Sequence, residues 1–131
     1  MKLKNEFWAF IPARSGSKKI KHKNIKKLNN IPLLAYSIVA AKKNSYINKI
    51  VFSSDNSNYA RIAKKYGNFL FHKRKKYISS DRSDDLVMFK DFIKYFNSNN
   101  FYLPKYFVHL RPTTPIRFNK TITEAIKYFK K

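Results

Sequence analysis

No cysteine occurs among the 131 residues, which removes disulfide frameworks and thiolate metal sites and leaves nothing to say of redox compartment beyond compatibility with the cytosol. Glycine is nearly as scarce. With Gly16 and Gly67 alone, the chain cannot form the triple-glycine fingerprint of a dinucleotide site, and no Lys-Ser or Lys-Thr closes its one glycine turn as in a Walker loop. Acidic side chains number seven against 29 basic ones. Long apolar runs are missing too: Phe7 to Ala13 follows the polar opening Met1 to Glu6 and is too short for a signal core with its cleavage site or for a membrane span. A soluble, cytoplasmic chain with no membrane partner is expected.

What is present is the material of a folded domain. Hydrophobic residues make up 44% of the chain, and 21 of its 22 aromatics are Phe or Tyr, so disorder is excluded as the overall state despite the charge. The length suits one domain, residues 1–131. A net charge of +22 attracts any polyanion. Lysine, however, supplies 23 of the 29 basic residues, is spread along the whole chain and is accompanied by 13 asparagines, the pattern of a solvated surface rather than of a nucleic-acid stripe. Tyr and Phe fall at helix and strand core spacing, which argues against base stacking as well.

The order of elements is that of an α/β protein. Phe7 to Ile11, closed by Pro12, reads as a strand buried on both faces, and residues 14 to 30 as a long polar loop at its C-terminal end. Pro32 opens a helix with Leu33, Leu34, Tyr36, Ile38, Val39 and Ala40. Ile47 to Ser53 is a second strand, and Ser54 to Ser57 caps a helix carrying Tyr59, Ile62, Ala63 and Tyr66, with Gly67 as its stop. Asn68 to His72 gives a third strand and Lys73 to Ser80 a basic loop. Ser83-Asp84-Asp85 opens a helix whose inner face is expected to comprise Leu86, Val87, Phe89, Phe92, Ile93 and Phe96. Tyr106 to Leu110 is the fourth strand, and Asn119 caps a last helix with Ile122, Ala125, Ile126 and Phe129 inward. Strand, helix, strand, helix is the rhythm of a parallel sheet built by right-handed crossovers.

Chemistry concentrates in Ile11-Pro12-Ala13-Arg14-Ser15-Gly16-Ser17-Lys18-Lys19-Ile20-Lys21-His22-Lys23-Asn24. A Gly/Ser turn after a buried strand lets backbone N–H groups approach a triphosphate while Arg14, Lys18 and Lys23 offset its charge. One glycine among scattered lysines also fits a plain solvated loop. Asp81, Asp84 and Asp85 could hold a cation, although a capped helix start accounts for them more simply, and His22, His72 and His109 show no metal-ligand spacing.

The same segment resembles the signature loop of the acylneuraminate cytidylyltransferases, Ile-Pro-Ala-Arg-x-Gly-Ser-Lys-x-Ile/Leu-Pro-x-Lys-Asn, departing from it only at Lys21, where the family has Pro. Pro32 to Ile38, Val51 to Asp55, Ala63 to Gly67 and Arg111-Pro112-Thr113-Thr114-Pro115-Ile116-Arg117 resemble further family stretches, the last being Gln-Pro-Thr-Ser-Pro-Leu-Arg there. The related Kdo branch is disfavoured, because Lys23 precedes Asn24 rather than Pro and no Gln-Gly-Asp ends the fourth strand.

The resemblance implies a Rossmann-like three-layer nucleotide-diphospho-sugar transferase fold with a mainly parallel sheet, here truncated at its C-terminus. It implies attack of a nonulosonic acid's anomeric hydroxyl on CTP, giving a CMP-sugar for cell-surface polysaccharide and pyrophosphate. Arg14 and Lys23 would be catalytic. Arg14, Ser15, Gly16, Ser17, Lys18, Lys23 and Asn24 would bind the nucleotide, while Arg111, Thr113 and Thr114 would meet the nine-carbon sugar acid, Arg111 standing where the family has glutamine. Mg²⁺ is the implied cofactor, with its aspartate ligands in a C-terminal portion that the chain does not contain. Partners would then be CTP, the sugar acid, and a second copy or a complementing C-terminal fragment. An inactive nucleotide-binding remnant and a basic nucleic-acid-associated protein are the alternatives.

Overall fold

The structure, a computed structural model, describes residues 2–76, 85–98 and 102–131. Its centre is β1 (Leu3–Pro12), whose second half is an unbroken run of buried side chains. The run is buried because strands flank it on both sides and helices cover both faces. β4 (Ile47–Ser54) pairs parallel to it on one side and β6 (Leu103–His109) on the other, and β5 (Leu70–Lys73) adds to β4, giving the order β5-β4-β1-β6. A separate two-stranded ribbon, β2 (Lys27–Leu28) and β3 (Ile31–Pro32), turns through Asn29 and Asn30, both left-handed. Asparagine tolerates that region, so the Asn-Asn pair is a hairpin signal inside what reads as a featureless loop.

The alternation of β1 sorts two cores. Phe7, Ala9, Ile11 and Ala13 face α1 (Leu33–Lys43), α2 (Ser57–Lys64) and α4 (Asn119–Phe129), where they meet Leu34, Ile38, Tyr59, Ala63, Ile122 and Ile126. Trp8 and Phe10 face the other way, onto Met88, Phe92 and Phe96 of α3 (Asp85–Asn97). The result is the expected three-layer α/β arrangement. On the α3 side the packing is aromatic: the Phe10 ring lies 4.4 Å from Phe89 and 5.3 Å edge-on from Phe92. Burying Trp8 and Phe10 contributes about 2–3 kcal/mol each by the usual scale for large apolar side chains.

Order along the sheet reverses once. β1, β4 and β5 march one way, and the chain then crosses to place β6 on the opposite side of β1, with α3 on the opposite face from α1 and α2. That reversal puts a topological switch point between the C-terminal ends of β1 and β6, where open α/β sheets hold ligands.

Several sequence expectations shift in detail. β1 starts at Leu3 and β6 at Leu103, earlier than the apolar patterns, because their first turns pair with each other near the solvated bottom of the sheet. α2 ends at Lys64 with Lys65 as its cap, and Gly67 has no positive φ, so it is not a left-handed stop. Its role is steric: a Cβ at Gly67 would lie 3.0 Å from the Ile38 methyl. Asn119 does not cap α4 either. Phe118 holds the N-cap without a side-chain bond, and the exposed Asn119 side chain instead accepts from buried Asn44, a link between the end of α1 and the start of α4. Leu86, Val87, Ala125 and Phe129 turn outward, whereas Met88, absent from the expected face, is buried. Residues 77–80 of the expected basic loop, and Asp81, Ser83 and Asp84, lie outside the described residues.

Candidate functional site

Where β1 ends, Ala13 still donates to the Ser53 carbonyl of β4 at 2.8 Å, and the loop 14–24 begins one residue later. The loop is tied to itself at three points. The Asn24 amide, buried, donates to the Arg14 carbonyl at 2.9 Å and so joins exit to entry. Ser17 bridges the middle: its hydroxyl donates to the Ile20 carbonyl at 2.5 Å and accepts from the Lys23 N–H at 3.1 Å. Arg14 Nη1 donates to the Gly16 carbonyl at 2.8 Å. Lys23 to Ile25 form a single 3₁₀ turn, entered through His22 in the left-handed region (φ 53°).

Two groups from the start of α2 also reach the loop. Asp55 accepts from the Ser15 N–H at 2.9 Å and from the Ser15 hydroxyl at 2.6 Å. Tyr59, itself buried, places its hydroxyl 2.6 Å from His22 Nδ1. Burial, and then the Asp55 charge, push the Tyr59 hydroxyl above its ordinary pKa, so it stays a neutral phenol. Sequence reasoning placed Asp55 in a helix cap and Tyr59 in the core. In fact Asn56 is the cap, accepting from Asn58 and Tyr59 N–H, which leaves Asp55 free to turn towards the loop.

Arg74 is the functional candidate that the sequence did not disclose. It follows β5, is 94% buried, and bonds through its backbone N–H to the Ser54 carbonyl (2.8 Å) and through Nη2 to the Ser53 carbonyl (3.3 Å). Its Nε has no partner among the described residues. Burial pulls its pKa down, Asp55 acts against this, and Arg14, Asp91 and Asp85 also lie within its electrostatic reach. Arginine stays protonated regardless, so this is a cation beside the loop. Nothing in a lysine-rich stretch distinguishes it beforehand.

Below Arg74 sits His72, fully buried, with Nδ1 2.8 Å from the Ser53 hydroxyl and Nε2 2.7 Å from Asp91 of α3. A carboxylate only accepts, so Nε2 carries the proton and Nδ1 accepts from Ser53. Ser, His and Asp in this order resemble a nucleophilic triad, but Ser53 is as buried as His72 and no substrate can reach it. The unit is structural: it ties β4, β5 and α3 together under the Arg74 backbone.

At the C-terminal end of β6 lie the residues expected to meet the second substrate. Arg111 pairs with Asp85 at the start of α3, both about half exposed, and Thr113 and Thr114 sit exposed in the turn beyond it, which Thr114 N–H closes on the Arg111 carbonyl. Arg117 staples that turn to α1 through the Arg111 carbonyl (2.7 Å) and the buried Ser37 hydroxyl (3.0 Å). His109 is beside them, its Nε2 buried without a partner among the described residues and its pKa lowered chiefly by burial. Arg14, Ser15, Gly16, Ser17, Lys18, Lys23 and Asn24 thus share one loop after β1, and Arg111, Thr113 and Thr114 one turn after β6, on the two sides of the switch point. No group of three or more His, Asp or Glu residues that could hold a metal ion occurs among the described residues. A concavity of about 410 Å³ lies between α1 and Pro115–Asn119. No described helix is long and apolar enough to cross a membrane.

Comparison with known proteins agrees with this fold. A family model described as cytidylyltransferase matches residues 8–131. The post-translational flagellin modification protein B of Campylobacter coli is 33% identical over 127 residues, covering 95% of this chain and 53% of that protein. An N-acylneuraminate cytidylyltransferase of Escherichia coli O18:K1:H7 is 33% identical over 128 residues, covering 97% of this chain and 29% of that enzyme. Among solved structures, a CMP:2-keto-3-deoxy-manno-octonic acid synthetase complexed with CTP superposes with a TM-score of 0.69 at 12% identity, over 95% of this chain and 47% of that one, a likeness of fold. The chain spans about half, or less, of the length of these relatives.

Proposed function

Because this chain belongs to the cytidylyltransferase family and matches the acylneuraminate type, we propose that it binds CTP at the loop 14–24 and takes part in activating a nonulosonic acid as its CMP derivative. The observation that carries the reading is the placement of that loop: a pre-shaped turn with Arg14, Lys18 and Lys23, beside buried Arg74, at the C-terminal end of the central strand and at the switch point of the sheet. The Gly/Ser turn and the surrounding cations suit a triphosphate. Ser15 contributes to the loop rather than to the ligand, both its donors being held by Asp55.

In the reaction, the sugar acid's anomeric hydroxyl oxygen bonds to the α-phosphorus and gives up its proton to solvent, the bond between that phosphorus and the bridging oxygen breaks, and pyrophosphate leaves. Such a displacement needs positioning and charge stabilisation more than covalent help. Arg14 and Lys23 fill the catalytic role by offsetting charge on the phosphoryl oxygens, Lys18 neutralises the outer phosphates, and Asn24 holds Arg14 in place. Mg²⁺ would add Lewis-acid stabilisation of the phosphoryl oxygens when bound. Arg111, with Thr113 and Thr114, faces the crevice from the β6 side, where a guanidinium can pair with the sugar's carboxylate. Sialic and legionaminic acids are the substrate class, the cytoplasm the compartment, and a second copy or a complementing polypeptide the macromolecular partner.

Calorimetric titration of the chain with CTP tests the nucleotide site. Saturable binding weakened by about 10- to 100-fold in Arg14→Ala and Lys23→Ala, the loss expected for one charge-assisted phosphate contact, supports it. Equal binding by all three proteins refutes it.

A further inference from the structure

The loop 14–24 is anchored from outside as well as from within, and both outside anchors come from one place. Asp55 precedes α2 by two residues and Tyr59 lies in its first turn, four residues further on. Asp55 takes both donors of Ser15 at the loop's entry, and Tyr59 takes His22 at its exit. His22 adopts the left-handed conformation without being glycine, a cost that persists only where the surroundings over-determine it. The Tyr59 contact is that determinant: its ring is rigid within the core and its hydroxyl fixes one imidazole nitrogen.

Resting on the nucleotide reading of this loop, we propose that Asp55 and Tyr59 are positioning residues, a two-point clamp by which the start of α2 holds the phosphate loop open and pre-formed before nucleotide arrives. Neither side chain touches the ligand. Asp55 accepts from both the N–H and the hydroxyl of Ser15, so it fixes the direction of the turn from Ser15 into Gly16. Tyr59 fixes the return of the chain through His22 to Lys23 and Asn24. A loop held at one end only could still bind an anion, but would have to be ordered by it at a cost in affinity.

Limited trypsin digestion of the full chain, read by mass spectrometry, tests this without any ligand, because Lys18, Lys19 and Lys21 are cleavage sites inside the loop. Cleavage follows the opening equilibrium when closing is fast. Asp55→Ala removes two charge-assisted bonds and should speed cutting at those lysines about tenfold or more, and Tyr59→Phe, which keeps the core volume, about fivefold. Cutting elsewhere stays at the wild-type rate, which separates release of the loop from general destabilisation. Asp55→Asn, retaining one acceptor for the Ser15 N–H, falls between alanine and wild type. Titration with CTP and with inorganic tripolyphosphate completes the test: affinity for both falls in the order of loop release. Wild-type cutting rates in Asp55→Ala and Tyr59→Phe overturn the clamp, as does faster cutting with unchanged affinity. If wild type binds tripolyphosphate and not CTP, the nucleotide reading fails while the clamp stands or falls on the variants.

Discussion

Replacing His72 by leucine removes a side chain of similar size that bonds at both ends inside the sheet, and its cost can be worked from the partners left behind. Ser53 loses the acceptor for a fully buried hydroxyl, and an unsatisfied buried group of that kind costs about 1–3 kcal/mol. Asp91 loses a charge-assisted bond, but with its side chain 23% exposed, water replaces part of it, so about 1 kcal/mol is lost there. Added apolar burial returns somewhat less than 1 kcal/mol. The net is a loss of about 1–3 kcal/mol, equivalent to a Tm lower by roughly 4–12 °C for a domain of this size. Urea unfolding followed by circular dichroism measures it, with unchanged m as the sign that the same structure unfolds. The double variant His72→Leu with Ser53→Ala should recover about 1 kcal/mol, because it deletes the stranded hydroxyl. A loss below about 0.5 kcal/mol, or no recovery in the double variant, would refute the view that this buried trio ties β4, β5 and α3 together.

Acid should weaken the fold. Burial lowers the pKa of His72 and of His109, so unfolded chains take up protons near the ordinary histidine pKa of about 6.5 while folded chains do not. Stability from these groups is therefore complete above that pH and is lost as pH falls below it towards the depressed folded values, and the urea midpoint should drop between pH 7.5 and 5.5, less steeply in His72→Leu. A midpoint that rises towards acid contradicts this. Gly67→Ala should cost less than about 1 kcal/mol, since only the Ile38 methyl must give way, whereas Gly67→Val should cost visibly more in the same unfolding assay. Arg111→Gln should leave stability within about 0.5 kcal/mol, because its pair with Asp85 is half exposed, while changing which sugar acid is accepted in a pyrophosphate-release assay if Arg111 meets the carboxylate.

Much of the fold was legible because its strongest elements carry a single signal. β1 reads as a strand buried on both faces from Phe7 to Ile11, and α1 from the spacing of Leu33, Leu34, Tyr36, Ile38, Val39 and Ala40, of which Leu34 and Ile38 are fully buried. The errors lie where two mechanisms share one residue type. Gly67 and Asn119 both look like helix punctuation, and both are instead there for tertiary contacts, one a close approach to Ile38 and the other a bond to Asn44. Periodicity places Leu86 and Val87 inward and misses Met88, because the true face of α3 is set by Phe92 and Phe96 against Trp8 and Phe10. The loop 14–24 was visible as a motif, but its supports were not. Asp55, Tyr59 and Arg74 come from other elements, and only the strand order brings them to the end of β1.

The central claim is that the loop after β1 is a nucleotide site and not merely a basic surface, and base discrimination decides it, since a net charge of +22 attracts every nucleoside triphosphate alike. Calorimetric titration with CTP, UTP and ATP at physiological salt, with and without Mg²⁺, is the direct measurement. The account predicts saturable binding that favours CTP. Equal affinity for all three, falling steeply as salt is raised, would contradict it.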